Sequence, residues 1–167
     1  MEIKTERLLI RPFRTSDAED AIEWRSDPEL NRFMPYPCDA DLEETRQRIE
    51  EWIADGDKYA IELRSTGKVI GDITLEWSER FGLYELGYDL SRSYWRQGYA
   101  TEAARAVIEW AVSERGIRDF TAYYARDNAA SGRVLEKCGF VPEYNAQYSR
   151  DNGMTVFEAI VSELHIR

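Results

Sequence analysis

Apolar residues alternate with polar ones, or form short runs bounded by turn residues, in seven segments of the chain. These segments are residues 8–13, 58–64, 69–77, 83–90, 119–125, 140–148 and 155–164. Alternation with a period of two predicts β-strands that bury one face. Turn signals at Ser65–Lys68 and Asp151–Gly153 join neighbouring segments and predict hairpins. We therefore expect a largely antiparallel sheet.

The longest helical pattern has apolar residues three or four positions apart. It is formed by Ala100, Ala103, Ala104, Val107, Ile108 and Ala111. These positions share one face of a helix, which we expect to end near Gly116. A shorter helix is predicted after Asn128, because asparagine caps helix N-termini and Gly139 suits the left-handed residue after a helix.

Two more helices are predicted in the first third of the chain. Ser16 and Glu19 have the spacing of a capping box, which starts a helix that runs to about Arg25. A second helical pattern extends from Asp41 to Ala54. Three prolines interrupt the segment between these helices, so we expect an irregular loop that forms a lid. Helices combined with a mostly antiparallel sheet indicate the α+β class.

Length and charge exclude several classes of protein. A chain of 167 residues suits one domain, residues 1–167. No apolar stretch reaches the ~20 residues that a membrane span requires, and the N-terminal segment does not resemble a secretory signal, so we expect a cytoplasmic protein. The net charge of −10 argues against a nucleic-acid partner, since phosphate chains require a basic surface. Either a monomer or a homodimer is compatible with these observations.

The sequence offers little for metal or histidine chemistry. Cys38 and Cys138 lie far apart without another ligand at metal spacing, and His165 is the only histidine. We expect no metal ion. If the protein is an enzyme, its catalytic residues must be other than histidine and cysteine. Acidic residues predominate before residue 92, whereas residues 92–137 have a small basic excess. This distribution fits a cationic substrate and a phosphorylated cofactor.

A predicted strand, a short loop and the long helix meet at residues 86–103. The first N–H groups of a helix have no partner within it, and the helix dipole adds partial positive charge, so a pyrophosphate can bind there. Gly98 and Ala100 are small enough for close backbone approach, and Arg96 and Thr101 can add a charge and a hydroxyl. A glycine near a helix start is more often a simple cap, so this segment alone leaves both interpretations open.

Three segments together resemble the GNAT acetyltransferases, in particular the branch that acetylates the N-termini of ribosomal proteins. They are Thr5–Phe13, Gly87–Ala103 and Asn128–Phe140. The resemblance covers nearly the whole chain and implies a GNAT fold, with a mixed, mostly antiparallel sheet of six to seven strands and about four helices. It also implies acetyl-CoA as the acetyl donor and a primary amine as the acceptor.

The resemblance implies specific contacts with acetyl-CoA. Tyr88, Asp89 and Leu90 would pair through their backbone with the pantetheine arm, Asn128 would hydrogen-bond it, and Arg133 would reach the outer phosphate. The implied pyrophosphate cradle consists of Arg96, Gln97, Gly98, Tyr99, Ala100 and Thr101. Arg96 departs from the family, which often has glycine there, and it contacts phosphate or points to solvent.

Acetyl transfer to an amine requires a neutral nitrogen, a polarised carbonyl and a proton for the departing thiolate. Glu85 is the candidate base, with a surface strand carboxylate as the alternative. Many relatives have a tyrosine seven residues after Asn128, where this sequence has Leu135. The resemblance implies that Ser131 gives the proton instead, with a local helix hydrogen bond as the alternative. A backbone N–H is expected to polarise the carbonyl where strand 83–90 diverges from its neighbour.

The class of acceptor is open between a protein N-terminus and a small amine. An α-amine has a pKa of about 7.7–8.0 and lysine about 10.4, so an N-terminus needs less help to lose its proton. The runner-up is a polyamine, an amino acid or an aminoglycoside, which the acidic first half of the chain and the aromatic loop 33–37 would also fit. A third possibility is a catalytically silent acyl-CoA-binding module, which would need neither Glu85 nor Ser131.

Overall fold

The computed structural model describes residues 1–167 and contains a central eight-stranded sheet. The strands are β1 (Ile3–Lys4), β2 (Leu8–Pro12), β3 (Lys58–Leu63), β4 (Val69–Ser78), β5 (Leu83–Leu90), β6 (Asp119–Ala125), β7 (Val141–Arg150) and β8 (Thr155–His165). The helices are α1 (Ala18–Arg25), α2 (Pro28–Asn31), α3 (Leu42–Asp55), α4 (Tyr99–Arg115) and α5 (Ala129–Lys137). The α+β class is confirmed, and the counts of six to seven strands and about four helices were slightly low.

The sheet divides at its centre. Its strand order is β1-β2-β3-β4-β5-β6-β8-β7, and every neighbouring pair is antiparallel except β5 and β6. These two parallel strands pair only at Tyr84 with Phe120 and at Glu85 with Thr121. Beyond Glu85 they have no paired residues, which leaves a gap between them, as the resemblance implied.

Helices pack on both faces of the sheet. The larger apolar core lies under α4 and includes Val107 of that helix, together with Leu86 and Leu135. The smaller core lies under α1 and α3 and includes Trp24 and Ile49. Because side chains alternate along a strand, neighbouring β3 residues enter different cores. None of the five helices is long and apolar enough to cross a membrane.

The predicted helix ends are confirmed for the three longest helices. Asp41 caps α3, and its carboxylate accepts a hydrogen bond from the Glu44 N–H at 3.0 Å. Gly116 follows α4 in the left-handed conformation, with φ 65°. Asn128 caps α5, and Gly139 beyond its end has φ 93°.

The predicted capping box at the start of α1 was wrong. A single turn of 3-10 helix, Thr15–Asp17, precedes α1, and Asp17 accepts the Arg14 N–H at 2.7 Å. Asp17 is buried and forms an ion pair with Arg11 at 2.8 Å, which fixes its carboxylate beside that backbone group. The start of this helical segment is therefore fixed by Asp17, which the ion pair with Arg11 of β2 holds in place, and not by Ser16 and Glu19.

The segment between α1 and α3 is held by a buried ion pair. Two nitrogens of Arg25 donate to the carboxylate of Asp39 at 3.0 and 2.8 Å, and Thr45 donates to the same group at 3.0 Å. Both charged side chains are almost completely buried. Arg48 also donates to Asp39 at 2.9 Å, so it is the loss of Asp39 that would leave a buried charge, Arg25, without this partner, a change that typically costs about 3–5 kcal/mol. The predicted loop, which contains the short helix α2, is therefore firmly attached at its far end.

Candidate active site

One edge of β5 faces the gap in the sheet. The Ser91 N–H donates to the Ile70 carbonyl of β4 at 2.8 Å. Backbone groups of successive strand residues point to opposite sides. Because those of Ser91 point toward β4, the backbone N–H and C=O groups of Leu86, Tyr88 and Leu90 point toward the gap. The Leu90 carbonyl accepts a hydrogen bond from the Trp95 indole at 2.6 Å.

The alternation changes the expected backbone contacts of the pantetheine arm. Asp89 stands opposite Asp72 in the β4 register, so its backbone groups point toward β4. A Cβ on Gly71 would lie 2.1 Å from the Asp89 carbonyl oxygen, so only glycine allows β4 to approach this closely. The strand edge available for pairing is thus supplied by the backbone of Tyr88 and by the Leu90 N–H, because the Leu90 carbonyl already accepts from Trp95. The Asp89 side chain instead accepts from the Tyr36 hydroxyl.

A cavity of about 380 Å³ occupies the gap. Residues from both faces of the sheet line it. On the face that α4 and α5 cover they are Tyr88, Asn128, Ser131 and Leu135. On the opposite face they include Tyr36, Asp72, Glu85, Asp89, Tyr123 and Tyr148. The two candidate catalytic residues, Glu85 and Ser131, therefore reach one cavity from opposite faces of the sheet.

Ser131 lies in the first turn of α5, where its hydroxyl meets Tyr88. The Ser131 Oγ is 3.0 Å from the Tyr88 hydroxyl, which also lies 3.0 Å from the Ser131 carbonyl. When the phenol donates to that carbonyl, the serine hydroxyl donates to the phenol oxygen. Burial raises the pKa of Tyr88. Tyr88 therefore stays protonated and orients the serine hydroxyl.

A glycine lets α5 approach the sheet at this point. A Cβ on Gly132 would lie 2.8 Å from the ring of Tyr124 on β6. Gly132 is buried, so a side chain at this position would have to displace the Tyr124 ring from its present place against the helix. Tyr124 thus packs against α5.

Glu85 stands among other carboxylates on the opposite face. It is half-buried, and burial raises its pKa, although the Ser78 hydroxyl and the Arg80 charge oppose this shift. Glu76 is directly opposite on β4. Partial burial and the neighbouring Asp57 carboxylate raise the pKa of Glu76. This side of the cavity therefore favours a cationic ligand.

A buried polar cluster lies beside these carboxylates and holds the predicted lid. The Tyr36 hydroxyl donates to Asp89, and Asp72 accepts from Lys58 at 2.9 Å and from the Trp24 indole at 3.2 Å. Burial, reinforced by the Asp72 charge, raises the pKa of Asp89 to about 6, although Lys58 and Tyr36 act in the opposite direction. The cluster ties the loop that carries Tyr36 to the end of β5.

Aromatic side chains form a further wall of the cavity. The rings of Tyr123 and Tyr148 are 5.3 Å apart, and Tyr148 stacks on Phe157 at 4.8 Å. The Tyr148 hydroxyl donates to the Phe33 carbonyl at 2.5 Å, so this wall also contacts the loop. The loop therefore covers the cavity from two attachment points, as expected for a lid.

The start of α4 has the backbone geometry of an anion site. Gly98 precedes the helix in the left-handed conformation, with φ 83°, and no side chain caps the first turn. Arg96 is exposed and also has a positive φ, 61°, which explains why glycine is common at this position. Gln97 is exposed in the same loop, and Arg133 is exposed on α5. This predicted cradle lies outside the lining of the cavity.

Comparison with known proteins identifies the family. The acetyltransferase (GNAT) domain family matches residues 7–141. The chain belongs to the GNAT acetyltransferases. It is 30% identical over 158 residues to the uncharacterized N-acetyltransferase YoaA of Bacillus subtilis, an alignment that covers 90% of this chain and 89% of the relative. The protein is therefore an acetyl-CoA-dependent N-acetyltransferase.

Solved structures confirm the GNAT fold. An acetyltransferase of the GNAT family from Bacillus anthracis superposes with a TM-score of 0.89 at 27% identity, over 99% of this chain and 98% of the other. A ribosomal-protein-S5-alanine acetyltransferase from Vibrio fischeri superposes with a TM-score of 0.76 at 23% identity, over 99% and 96%. At this identity the second likeness concerns the fold alone.

Two features of this GNAT enzyme fit acetyl-CoA. The edge of β5 at Tyr88 offers backbone groups to the amides of a pantetheine arm, and the uncapped start of α4 suits a pyrophosphate. Asn128 uses its side-chain oxygen to accept the Ser131 N–H at 3.3 Å. Its two amide N–H donors stay available for a carbonyl of the arm.

Sequence reasoning missed most of the loop side of the site. Asp57, Lys58, Asp72 and Glu76 were not predicted as site residues, and Tyr36 was noted only within an aromatic loop. One signal was present, because polar residues at 72, 74 and 76 alternate with apolar ones along β4. That pattern predicts a strand with a polar face, but the face could not be related to Glu85 without the register between β4 and β5.

Proposed function

We propose that this enzyme acetylates the α-amino group of a protein N-terminus, with Glu85 as the base and Ser131 as the acid. The observation that carries the proposal is the cavity through the sheet, which both residues reach from opposite faces. A base on the acceptor side and an acid on the donor side are what acyl transfer between two substrates requires. The gap between β5 and β6 connects the two sides.

The residues divide the chemistry between them. Bound acetyl-CoA supplies an acetyl group activated as a thioester. Glu85 takes the proton of the acceptor nitrogen on its carboxylate, directly or through water. A backbone N–H of β5 that faces the gap polarises the acetyl carbonyl. Ser131 turns its hydroxyl from the Tyr88 oxygen to the departing sulfur and donates its proton. Water then carries the proton from Glu85 to the serine oxygen, so both groups are restored.

The protein N-terminus is favoured by proton chemistry and by a structural neighbour. An α-amine loses its proton near neutral pH, so a single half-buried carboxylate such as Glu85 suffices as its base. The neighbour from Vibrio fischeri is named for acetylating an alanine of a ribosomal protein. The carboxylates beside Glu85 suit the positive charge of an N-terminal ammonium group before it is deprotonated.

A small cationic amine is the second candidate acceptor. The lid loop attaches to Asp89 and to Tyr148, and it covers the carboxylate side of the cavity. A covered pocket with acidic and aromatic walls suits a compact cation, through charge and through contact with ring faces. The covering loop is thus the observation that favours a polyamine or an aminoglycoside over a peptide.

The cofactor site predicts that acetyl-CoA stabilises the protein. At about 100 times its Kd the ligand adds about 2.7 kcal/mol, which raises Tm by roughly 5–10 °C for a chain of this size. Gly98→Asp is expected to abolish this rise, because it places bulk and negative charge at the start of α4. Differential scanning fluorimetry measures both effects.

A matched control separates charge from backbone strain. Gly67 also has a positive φ, 74°, and has open space around it in the turn between β3 and β4. Gly67→Asp should lower Tm yet leave the rise with acetyl-CoA intact. Equal rises in wild type and Gly98→Asp would contradict the placement of the pyrophosphate.

A panel of acceptors tests the proposed substrate class. Peptides with a free N-terminal alanine or serine, the same peptides blocked at the N-terminus but containing lysine, polyamines and aminoglycosides are assayed by thiol release. The free peptides should exceed every other acceptor in kcat/KM by more than about tenfold. A preference for polyamines or aminoglycosides would favour the second candidate. Activity on the blocked peptides would contradict selection for an α-amine.

A further inference from the structure

Arg7, which precedes β2, contacts the loop at the start of α4. Its guanidinium donates to the Gln97 carbonyl at 2.9 Å and lies 4.2 Å from the centre of the Tyr99 ring. A Cβ on Gly98 would lie 3.4 Å from the same guanidinium. Arg7 therefore contacts Gln97 and Tyr99 and lies beside the Cα of Gly98 between them, all in the proposed pyrophosphate cradle.

Arg7 also pairs with Glu102 in the first turn of α4. Two guanidinium nitrogens lie 2.6 Å from one Glu102 oxygen, and the Arg7 N–H donates to the other at 3.0 Å. The Thr5 hydroxyl donates to that second oxygen at 2.5 Å. Burial alone would raise the pKa of Glu102, but the hydrogen bonds from Thr5 and Arg7 lower it overall. Glu102 is therefore ionised in the helix turn where the phosphates would bind.

These contacts solve two problems of the cradle. An unpaired Glu102 carboxylate would repel a pyrophosphate at the same helix end, and the guanidinium compensates its charge. The loop also contains two residues with positive φ, Arg96 and Gly98, and the first is strained because it has a side chain. The bond to Gln97 lies between them and holds the loop in this conformation.

We propose that Arg7 is a positioning residue for acetyl-CoA, acting through the loop 96–98 and through the charge of Glu102. This inference rests on the proposed cofactor site at residues 96–101. Arg7 touches neither the cavity nor the reacting atoms. Arg7 is therefore expected to affect only the binding of the phosphate-bearing part of acetyl-CoA.

Two donors distinguish this role from general support of the fold. Acetyl-CoA carries the pyrophosphate, whereas acetyl-pantetheine has the same thioester without it. Arg7→Gln is expected to raise KM for acetyl-CoA by about tenfold and to change kcat by less than about twofold. Because acetyl-pantetheine makes no phosphate contact, its kcat/KM should change by less than about twofold in the same variant.

Two further variants sharpen the test. Arg7→Lys keeps the charge but not the fork that reaches Glu102 and Gln97 together, so an intermediate rise of about threefold in KM is expected. If Arg7→Gln fails to fold, Arg7→Lys carries the same comparison. Adding Glu102→Gln to Arg7→Gln should recover part of the lost affinity, because the unpaired charge is removed. No recovery would contradict the electrostatic part of the proposal.

Arg64 provides the matched control. It donates to the carbonyls of Thr5 and Glu6 at 2.6 and 3.0 Å and so holds the same N-terminal segment without contact to the loop. Arg64→Gln should lower Tm without changing the preference for acetyl-CoA over acetyl-pantetheine. If Arg7→Gln behaves like Arg64→Gln, or reduces turnover of both donors equally, the positioning role is overturned. A wild-type enzyme without any preference would contradict the cofactor site itself, and the role of Arg7 with it.

Discussion

Replacing Ser131 with alanine should lower kcat by about 10²–10⁴-fold, the usual effect of losing a general acid. The site offers no replacement at the position where many relatives have tyrosine, because Leu135 is buried there and cannot give a proton. The Tyr88 hydroxyl donates to the Ser131 carbonyl at 3.0 Å, so its proton is already engaged within the protein. The measurement is thiol release at saturating concentrations of both substrates, with KM for acetyl-CoA expected to stay near its wild-type value.

A second helix serine separates catalysis from local stability. Ser113 lies on the exposed side of α4, where its hydroxyl donates to the Trp110 carbonyl at 3.3 Å. Ser113→Ala removes a hydroxyl of the same kind far from the cavity, and it should cost at most about 1 kcal/mol of stability and no activity. If Ser131→Ala behaves in the same way, Ser131 is only a helix residue and the acid must come from elsewhere.

Replacing Glu85 with glutamine should reduce kcat/KM most strongly below neutral pH, by about 10²-fold or more. The raised pKa of Glu85 means that it gains a proton at higher pH than an ordinary glutamate, so wild-type activity should fall on acidification through that pKa. Above it the carboxylate is ionised and the acceptor amine is still mostly protonated, which is where a base helps most. As the pH rises past about 8 the free amine becomes abundant and the deficit should narrow.

The pH profile also distinguishes a carboxylate that accepts the proton of the acceptor from one that only positions the acceptor. Glu76, Arg80 and Tyr123 are the titratable groups whose charges act on or respond to Glu85. Glu79→Gln is the control, since that exposed residue belongs to the adjacent turn but does not line the cavity. A loss in Glu85→Gln that is equal at every pH would show that the carboxylate positions the acceptor and does not accept its proton.

Periodicity along the chain predicted most of the fold because each pattern reports a local fact. The alanine-rich face of α4 is buried along its length, and β6 spans the same residues that alternation indicated. Capping by Asp41 and Asn128 was also predictable, since a cap acts over three residues. The two-residue strand β1 is too short to show any alternation, which is why the strand count was low.

The rest of the site depends on contacts between residues far apart in the chain. Tyr36 meets Asp89 across 53 positions, and Arg7 meets Glu102 across 95. No window along the sequence contains both partners of either pair. Asp89 shows a subtler problem, because the strand was predicted correctly but the direction of its backbone groups follows from the register with β4. Glu85 and Ser131 were predicted from the family resemblance, and their placement in one cavity required the structure.

Strand pairing between the five strands on one side of the sheet and the three on the other is limited to two residue pairs of β5 and β6. Such limited pairing lets the two groups of strands move relative to each other more easily than an unbroken sheet would. A pantetheine arm bound along β5 would bridge the two groups of strands and complete one wall of the acceptor cavity. We therefore expect an order of binding in which acetyl-CoA binds first and the acceptor then enters the cavity that the pantetheine arm has completed.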